Sequence, residues 1–351
     1  MFKKISLFIV VIAFSVIFNL LTQSSSEAAS VGCTKNADGT AIVTTAGEVK
    51  PFTLAGTSTK DDQCSQEPDQ YKVKFYKAAL CTDDPYKGSA DPSFESCIDI
   101  LSSEKEVIIE PGVDTNLLDG EDLVLPIGSY TYFTVVVNNH LNIKHKQQYL
   151  LSNGNAANIF GNTSGNGAWC WSRAAVTTYS GDTYDSDYNT AHGVTVVDSG
   201  ASTSTAQLKC GSDEPSASDI GWATEIIDDL ANDPDNEPFS ADTGGYFSVE
   251  SDTGLTGLEM AGALLKTDNT SIAANANEAR RINGTFKYSS PIIISENTTS
   301  FKLFITTYSS VSIDMAIDTN AANRIYAAKM GADPFTIQVK TKTKRRRGAW
   351  R

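Results

Sequence analysis

The sequence predicts an all-β fold, a disulfide-stapled β-sandwich built as one large or two medium β-domains with minor short helices. Three observations carry this. Apolar and polar residues alternate with period two in several segments, turn residues separate those segments, and six cysteines follow an apolar leader.

The alternating segments come first. Tyr71, Val73 and Phe75 alternate with Lys72, Lys74 and Tyr76. Val311, Ile313, Met315 and Ile317 alternate with Ser312, Asp314, Ala316 and Asp318, and Phe335, Ile337 and Val339 with Thr336, Gln338 and Lys340. Each pattern gives a strand with one face in the core and one in water. Residues 130–137 and 301–308 are apolar or β-branched at nearly every position, which predicts central strands covered on both sides. Pro111-Gly112, Asp119-Gly120, Pro126 with Gly128, Asn283-Gly284 and Gly331 supply the turns. Helical spacing is confined to residues 223–231, with Ile226, Ile227 and Leu230 on one face, and to residues 271–282, with Ile272, Ala276, Ala279 and Ile282. The organisation expected is a leader at 1–30, an N-terminal β-domain at 31–151, a polar Gly/Asn/Ser-rich loop or inter-domain region at 152–218, a C-terminal β-domain at 219–340 and a basic tail at 341–351.

The two ends carry their own signals. Lys3 and Lys4 precede an apolar run over residues 5–21, broken only by Ser6, Ser15 and Asn19, and Ala28, Ala29 and Ser30 supply small residues for cleavage. That is the order of a secretory signal, with a retained anchor as its rival. The expected location is extracellular, cell-surface or periplasmic. The tail holds Lys340, Lys342, Lys344, Arg345, Arg346, Arg347 and Arg351 and no acid. The chain carries −14 in all; the leader's +1 and the tail's +7 therefore leave −22 on residues 31–339. The electrostatic residues of the tail proper, Lys342, Lys344, Arg345, Arg346, Arg347 and Arg351, are expected to meet water, an anionic cell-envelope surface or the acidic body of another copy, making a homo-oligomer. Nucleic acid is not an expected partner, because an exported protein seldom meets it and the net charge of the body disfavours a long polyanion.

Cys33, Cys64, Cys81, Cys97, Cys170 and Cys210 are even in number, and in an exported chain they predict three disulfides. Nearest-neighbour pairing is expected: Cys33 with Cys64, Cys81 with Cys97, and Cys170 with Cys210. Zinc fails on spacing, since no two cysteines are two to four apart and the histidines are only His140, His145 and His192.

Candidate sites are few. Asp182, Asp185, Asp187 and Asn189 place oxygens at alternate positions, as calcium loops do, although Thr190 and Val196 stand where that pattern needs glycine and glutamate. Asp228, Asp229, Asp233, Asp235 and Glu237 form a second acidic cluster. Calcium is the metal such oxygens suit, and no other cofactor is expected. Trp169 and Trp171 flank Cys170, with Tyr184 and Tyr188 following, a set able to stack on sugar rings. The competing role for one indole is packing over the disulfide. Sequons stand at Asn162, Asn269, Asn283 and Asn297. No nucleophile elbow, phosphate-binding loop or paired-histidine zinc helix occurs in the sequence. The function expected is therefore a secreted or cell-surface, non-catalytic structural protein that self-associates. The alternative is an extracellular glycan- or surface-binding module, calcium-dependent or not, and third comes a secreted hydrolase whose carboxylates (42 acids are present) the sequence does not single out.

Overall fold

In the computed structural model, residues 32–343 are described apart from 44–62, 88–90, 102, 114, 116, 119–124, 163–164, 181–184, 198–207, 229–245, 249–255, 309, 319–323 and 333–334. The leader, and the tail from Lys344 onward with Arg345, Arg346, Arg347 and Arg351, lie outside the described residues. The elements in order are β1 (Ala41–Val43), β2 (Gln63–Gln66), β3 (Gln70–Cys81), β4 (Cys97–Asp99), β5 (Lys105–Ile109), β6 (Gly128–Asn138), β7 (His140–Lys144), β8 (Lys146–Leu151), β9 (Ile159–Asn162), β10 (Gly165–Gly167), β11 (Trp169–Ser172), β12 (Ala175–Thr178), α1 (Ser186–His192), β13 (Leu208–Gly211), β14 (Ala223–Ile226), β15 (Phe247–Ser248), β16 (Leu258–Leu265), β17 (Arg281–Ile294), β18 (Thr298–Thr306), β19 (Val311–Asp318), β20 (Arg324–Ala332) and β21 (Thr336–Thr343).

The fold is all-β and disulfide-stapled. Its largest sheet has ten strands in the order β12-β14-β7-β3-β6-β17-β16-β15, with β4 and β5 added on β3. Smaller sheets of four (β1-β8-β11-β13), five (β10-β9-β20-β19-β2) and two (β18-β21) strands pack with it. One continuous core draws side chains from all four, among them Tyr71 and Phe133, Tyr149 and Cys170, Ile159 and Ile313, and Leu303 and Ile337. Sheets meeting across a shared apolar layer are the arrangement of a sandwich.

Period-two alternation places the predicted strands well. Tyr71, Val73 and Phe75 are buried on β3 while Lys72, Lys74 and Tyr76 are not. Val311 and Ile313 are buried on β19, as are Phe335 and Ile337 at β21. β6 has ladder partners on both sides, β3 and β17, and Phe133, Thr134, Val135, Val136 and Val137 are buried in succession, as an apolar run requires. Pro291 lies where the β17–β6 register shifts between Lys287 and Ile292, a bulge that tolerates the missing N–H.

Other expectations are corrected. Residues 223–226 form a strand and not a helix, because β12 and β7 satisfy the β14 backbone from both sides. Residues 271–280 are turns and bends with one isolated bridge from Ile272 to Leu265, and Ile282 belongs to β17, on the same face as Gly284 and Phe286. The described helix lies instead in the polar middle region: Asp185 caps α1 by accepting from the N–H groups of Asp187 and Tyr188, and Gly193 closes it at φ 67°. β18 is not a central strand. Among the described residues it pairs only with β21, and it turns one side to the core through Leu303, leaving Lys302 exposed. Apart from these corrections, strands of the segments 31–151 and 219–340 pair with each other, β6 with β17, β7 with β14 and β2 with β19.

The three disulfides are Cys33–Cys64, Cys81–Cys97 and Cys170–Cys210. Two of them join residues directly opposite in a ladder, Cys81 with Cys97 and Cys170 with Cys210. Three disulfides suit an oxidising, extracellular or periplasmic compartment. Among the described residues no helix is long and apolar enough to cross a membrane.

Phe133 is fully buried and stacks on Phe286 at 6.3 Å between ring centroids. Phe133→Ala is expected to cost about 3–5 kcal/mol in urea unfolding. Ile108→Ala, at a side chain 49% exposed, should stay within about 0.5 kcal/mol.

Candidate functional site, a cationic and aromatic face

From Ile143 to Tyr149 burial alternates without a break: Ile143, His145, Gln147 and Tyr149 point inward, while Lys144, Lys146 and Gln148 point outward. The chain changes sheet at His145, passing from β7 in the ten-stranded sheet to β8 in the four-stranded one. Side chains keep the same hand through that change, so the outer faces of two sheets join into one. Lys72 reaches this face from β3 opposite Asn142, and Thr224 from β14, its hydroxyl donating to Asn142 Oδ1 at 2.9 Å. From β11, Trp169 stands opposite Gln148 and Trp171 opposite Lys146; from β13, Lys209 stands opposite Trp171.

The result is an interleaving of ammonium groups and indoles. Lys72 Nζ lies 4.8 Å and Lys144 Nζ 5.1 Å from the Trp222 ring centroid. Lys146 Nζ lies 6.0 Å from that of Trp169, and Lys209 Nζ 5.7 Å from that of Trp171. Such spacings place cations against the negative ring faces. Lys146 also pairs with Glu214. Lys72, Lys144 and Lys209 make no ion pair among the described residues. Gly211 makes room for Trp171, since a Cβ there would stand 3.0 Å from the indole.

The residues singled out from the sequence separate. Trp169 is half-buried on the face, whereas Trp171 is 6% exposed and Tyr188 fully buried, so those two offer no open ring for stacking. Tyr184 lies outside the described residues, as does Asp182. Trp171 packs on the strand face opposite the Cys170–Cys210 disulfide, and so against Gly211 and not over the bridge. Trp222 was missed because residues 223–231 read as a helix; its signal is its place one residue before an alternating strand, level with Lys144.

The oxygens proposed for calcium have other work. Asp185 Oδ1 caps α1, and Asn189 Oδ1 accepts from Val196 N at 2.9 Å. Within the helix Asp187 and Asn189, two residues apart, point to different sides of the axis. Asp228 is buried and accepts from Ser180 N at 3.3 Å and Tyr188 Oη at 3.3 Å, while Asp229, Asp233, Asp235 and Glu237 lie outside the described residues. No group of three or more His, Cys, Asp or Glu able to hold a metal ion occurs among the described residues. The sequon residue Asn283 is fully buried, Asn297 is exposed, and Asn269 holds a positive φ of 66°.

At the other end of β7, on the same side of the strand as Asn142 and Lys144, α1 brings a histidine pair together. His140 Nε2 lies 3.1 Å from His192 Nδ1, His192 Nε2 lies 3.0 Å from Arg280 Nη1, and Tyr188 stacks on His192 at 4.2 Å. His145 is separate, with Nε2 at 2.8 Å from Gln66 Oε1. Burial chiefly lowers His140 and His192 to about 4, helped at His140 by His192, Arg280 and Arg281 and at His192 by Arg280. Burial, with a smaller contribution from Lys35, takes His145 to about 3.

No protein-family model, curated protein or solved structure matches the chain. Its class therefore stands on its own geometry, a disulfide-stapled all-β protein with a basic, tryptophan-bearing outer face.

The histidines generate a pH prediction. Their folded values lie below the ordinary 6.5, so the unfolded chain binds more protons as pH falls below that point. The stability they supply is complete above pH 6.5 and declines as pH drops toward their folded values. Melting temperature is expected to fall from about pH 7 to about pH 4, and His192→Gln should flatten that slope. A slope identical to wild type would remove the pair from the account.

Proposed function

We propose that the protein is a secreted or cell-surface, non-catalytic β-protein that holds an anionic glycan or envelope polymer on its cationic and aromatic face. The observation that carries this reading is the seating of Lys72 and Lys144 around the half-buried ring of Trp222, beside Lys146 with Trp169. Pyranose rings stack on indole faces, and ammonium groups beside them bind carboxylates or other acidic substituents. A neutral glycan uses only the first of these contacts. An acidic one uses both, and the −22 charge of the body sets a salt-sensitive balance on top. The apolar leader and three disulfides support export to the compartment where such polymers occur.

A structural, self-associating role is the second reading. It is favoured by the charge division between the acidic body and the basic end of the chain, which are complementary in successive copies.

The test is affinity chromatography and calorimetry on a polyuronate and on a neutral polysaccharide. The polyuronate is expected to bind more tightly and to be released as salt rises. Trp222→Ala and Lys144→Gln should each weaken it by about tenfold, a loss of roughly 1.4 kcal/mol. Equal affinity for the two polymers, or indifference to both substitutions, would defeat the proposal.

A further inference from the structure

We propose a second and separate binding site on the β18–β21 strand pair, for a phosphate group. The argument begins with register. Lys302 on β18 stands directly opposite Lys340 on β21, and Ser300 opposite Lys342, so all four project from the same face. Like charges directly opposite in an antiparallel ladder destabilise the pairing. Nothing in the described residues relieves this pair: Lys302, Lys340 and Lys342 are exposed and make no ion pair there. Elsewhere the protein readily supplies acids to its lysines, as in Lys74 with Glu104, Lys77 with Asp99, Lys266 with Glu278 and Lys287 with Glu259.

The three lysines line an open cleft of ≈ 480 Å³, together with Ser300, Thr299 and Phe304. Its frame is firm. The inner side of the pair is fixed by buried Leu303 and Ile337 and by Phe301, Ile305 and Val339 packed against the core. At the open end the register shifts between Thr298 and Ser300, and the displaced Thr299 Oγ1 donates to the Lys342 carbonyl at 3.1 Å. Lys340 Nζ rests 4.4 Å from the Phe304 ring centroid, which steadies one ammonium without neutralising it.

Three ammonium groups, each a triple donor, and a serine hydroxyl fit an acceptor with several oxygens and more than one negative charge. Phosphate meets that description, and a single carboxylate offers half the oxygens at one charge. The lysines on β21 lie two residues apart, about 6.8 Å along the strand, so the cleft admits either one phosphate or successive phosphates of a chain. The site shares no residue with the tryptophan face and does not rest on its function.

The experiment uses the full chain at low ionic strength, titrated with inorganic phosphate and with linear polyphosphate and followed by calorimetry and thermal melting. In phosphate-free buffer, Lys302→Gln should raise the melting temperature by a few degrees at most, because the facing charge is removed. Phosphate should raise it in wild type, and the K302Q/K340Q variant should lose roughly tenfold or more in affinity. K302R/K340R keeps the charge and should bind, which separates charge loss from misfolding. Tighter binding of polyphosphate per phosphate group identifies a polymer as the source, and equal binding identifies the free ion. Absence of phosphate binding in wild type, or unchanged binding in a folded K302Q/K340Q protein, overturns the site.

Discussion

The molecule is organised around β6. Its backbone is hydrogen-bonded on one side to β3, some fifty residues earlier, and on the other to β17, some hundred and fifty later. Burying Phe133 through Val137 on both faces is possible only when both ladders exist, because unpaired N–H and C=O groups in that position lack water. The apolar run thus enforces long-range closure, and closure holds the N- and C-terminal segments in one sheet. Non-local pairing of this kind carries a large loop entropy, which the Cys81–Cys97 disulfide beside β3 reduces in the unfolded chain.

Polar groups inside that closure are matched one to another. Thr134 Oγ1 lies 2.9 Å from Thr285 Oγ1, Asn283 Nδ2 donates to Thr134 Oγ1 at 2.9 Å and to the Val135 carbonyl at 2.7 Å, and Tyr86 Oη donates to Asn283 Oδ1 at 2.5 Å. Slipping the β6–β17 register by one residue would send these groups to the other face, so the network acts against misregistration. Between sheets, buried Glu225 on β14 accepts from Ala332 N on β20 at 2.6 Å. This ties the ten-stranded sheet to the five-stranded one at a defined depth.

The surface divides by charge in a way the net figure hides. An acidic body carries two lysine-bearing faces: one softens its cations against indoles, and the other sets two ammonium groups opposite each other with no carboxylate paired to them among the described residues. Both lie on the solvent side of strands whose inner sides are core, so their chemistry is independent of packing. A cation–aromatic face suits flat, ring-bearing ligands, whereas a bare lysine cleft suits compact charge.

Much of this was legible in the residues alone. Alternation at Tyr71 to Phe75, at Val311 and Ile313, and at Phe335 to Val339 specifies strands because a strand side chain reports its face every second residue. The cysteine pairs followed from proximity in sequence and an even count. Three things required the tertiary structure. Residues 223–226 carry a helical spacing, yet two neighbouring strands offer them a ladder, and tertiary hydrogen bonds outweigh propensity. Asp185 and Asn189 stand at calcium-loop spacing, and only the structure shows that Asp185 caps α1 while Asn189 Oδ1 accepts from Val196 N. The grouping of Lys72, Lys144, Lys146 and Lys209 with Trp169, Trp171 and Trp222, like the facing of Lys302 and Lys340, arises from register between strands far apart in the chain. Sequence determined which residues point outward; only the pairing of strands decided which of them meet, because register depends on distant partners and not on local pattern.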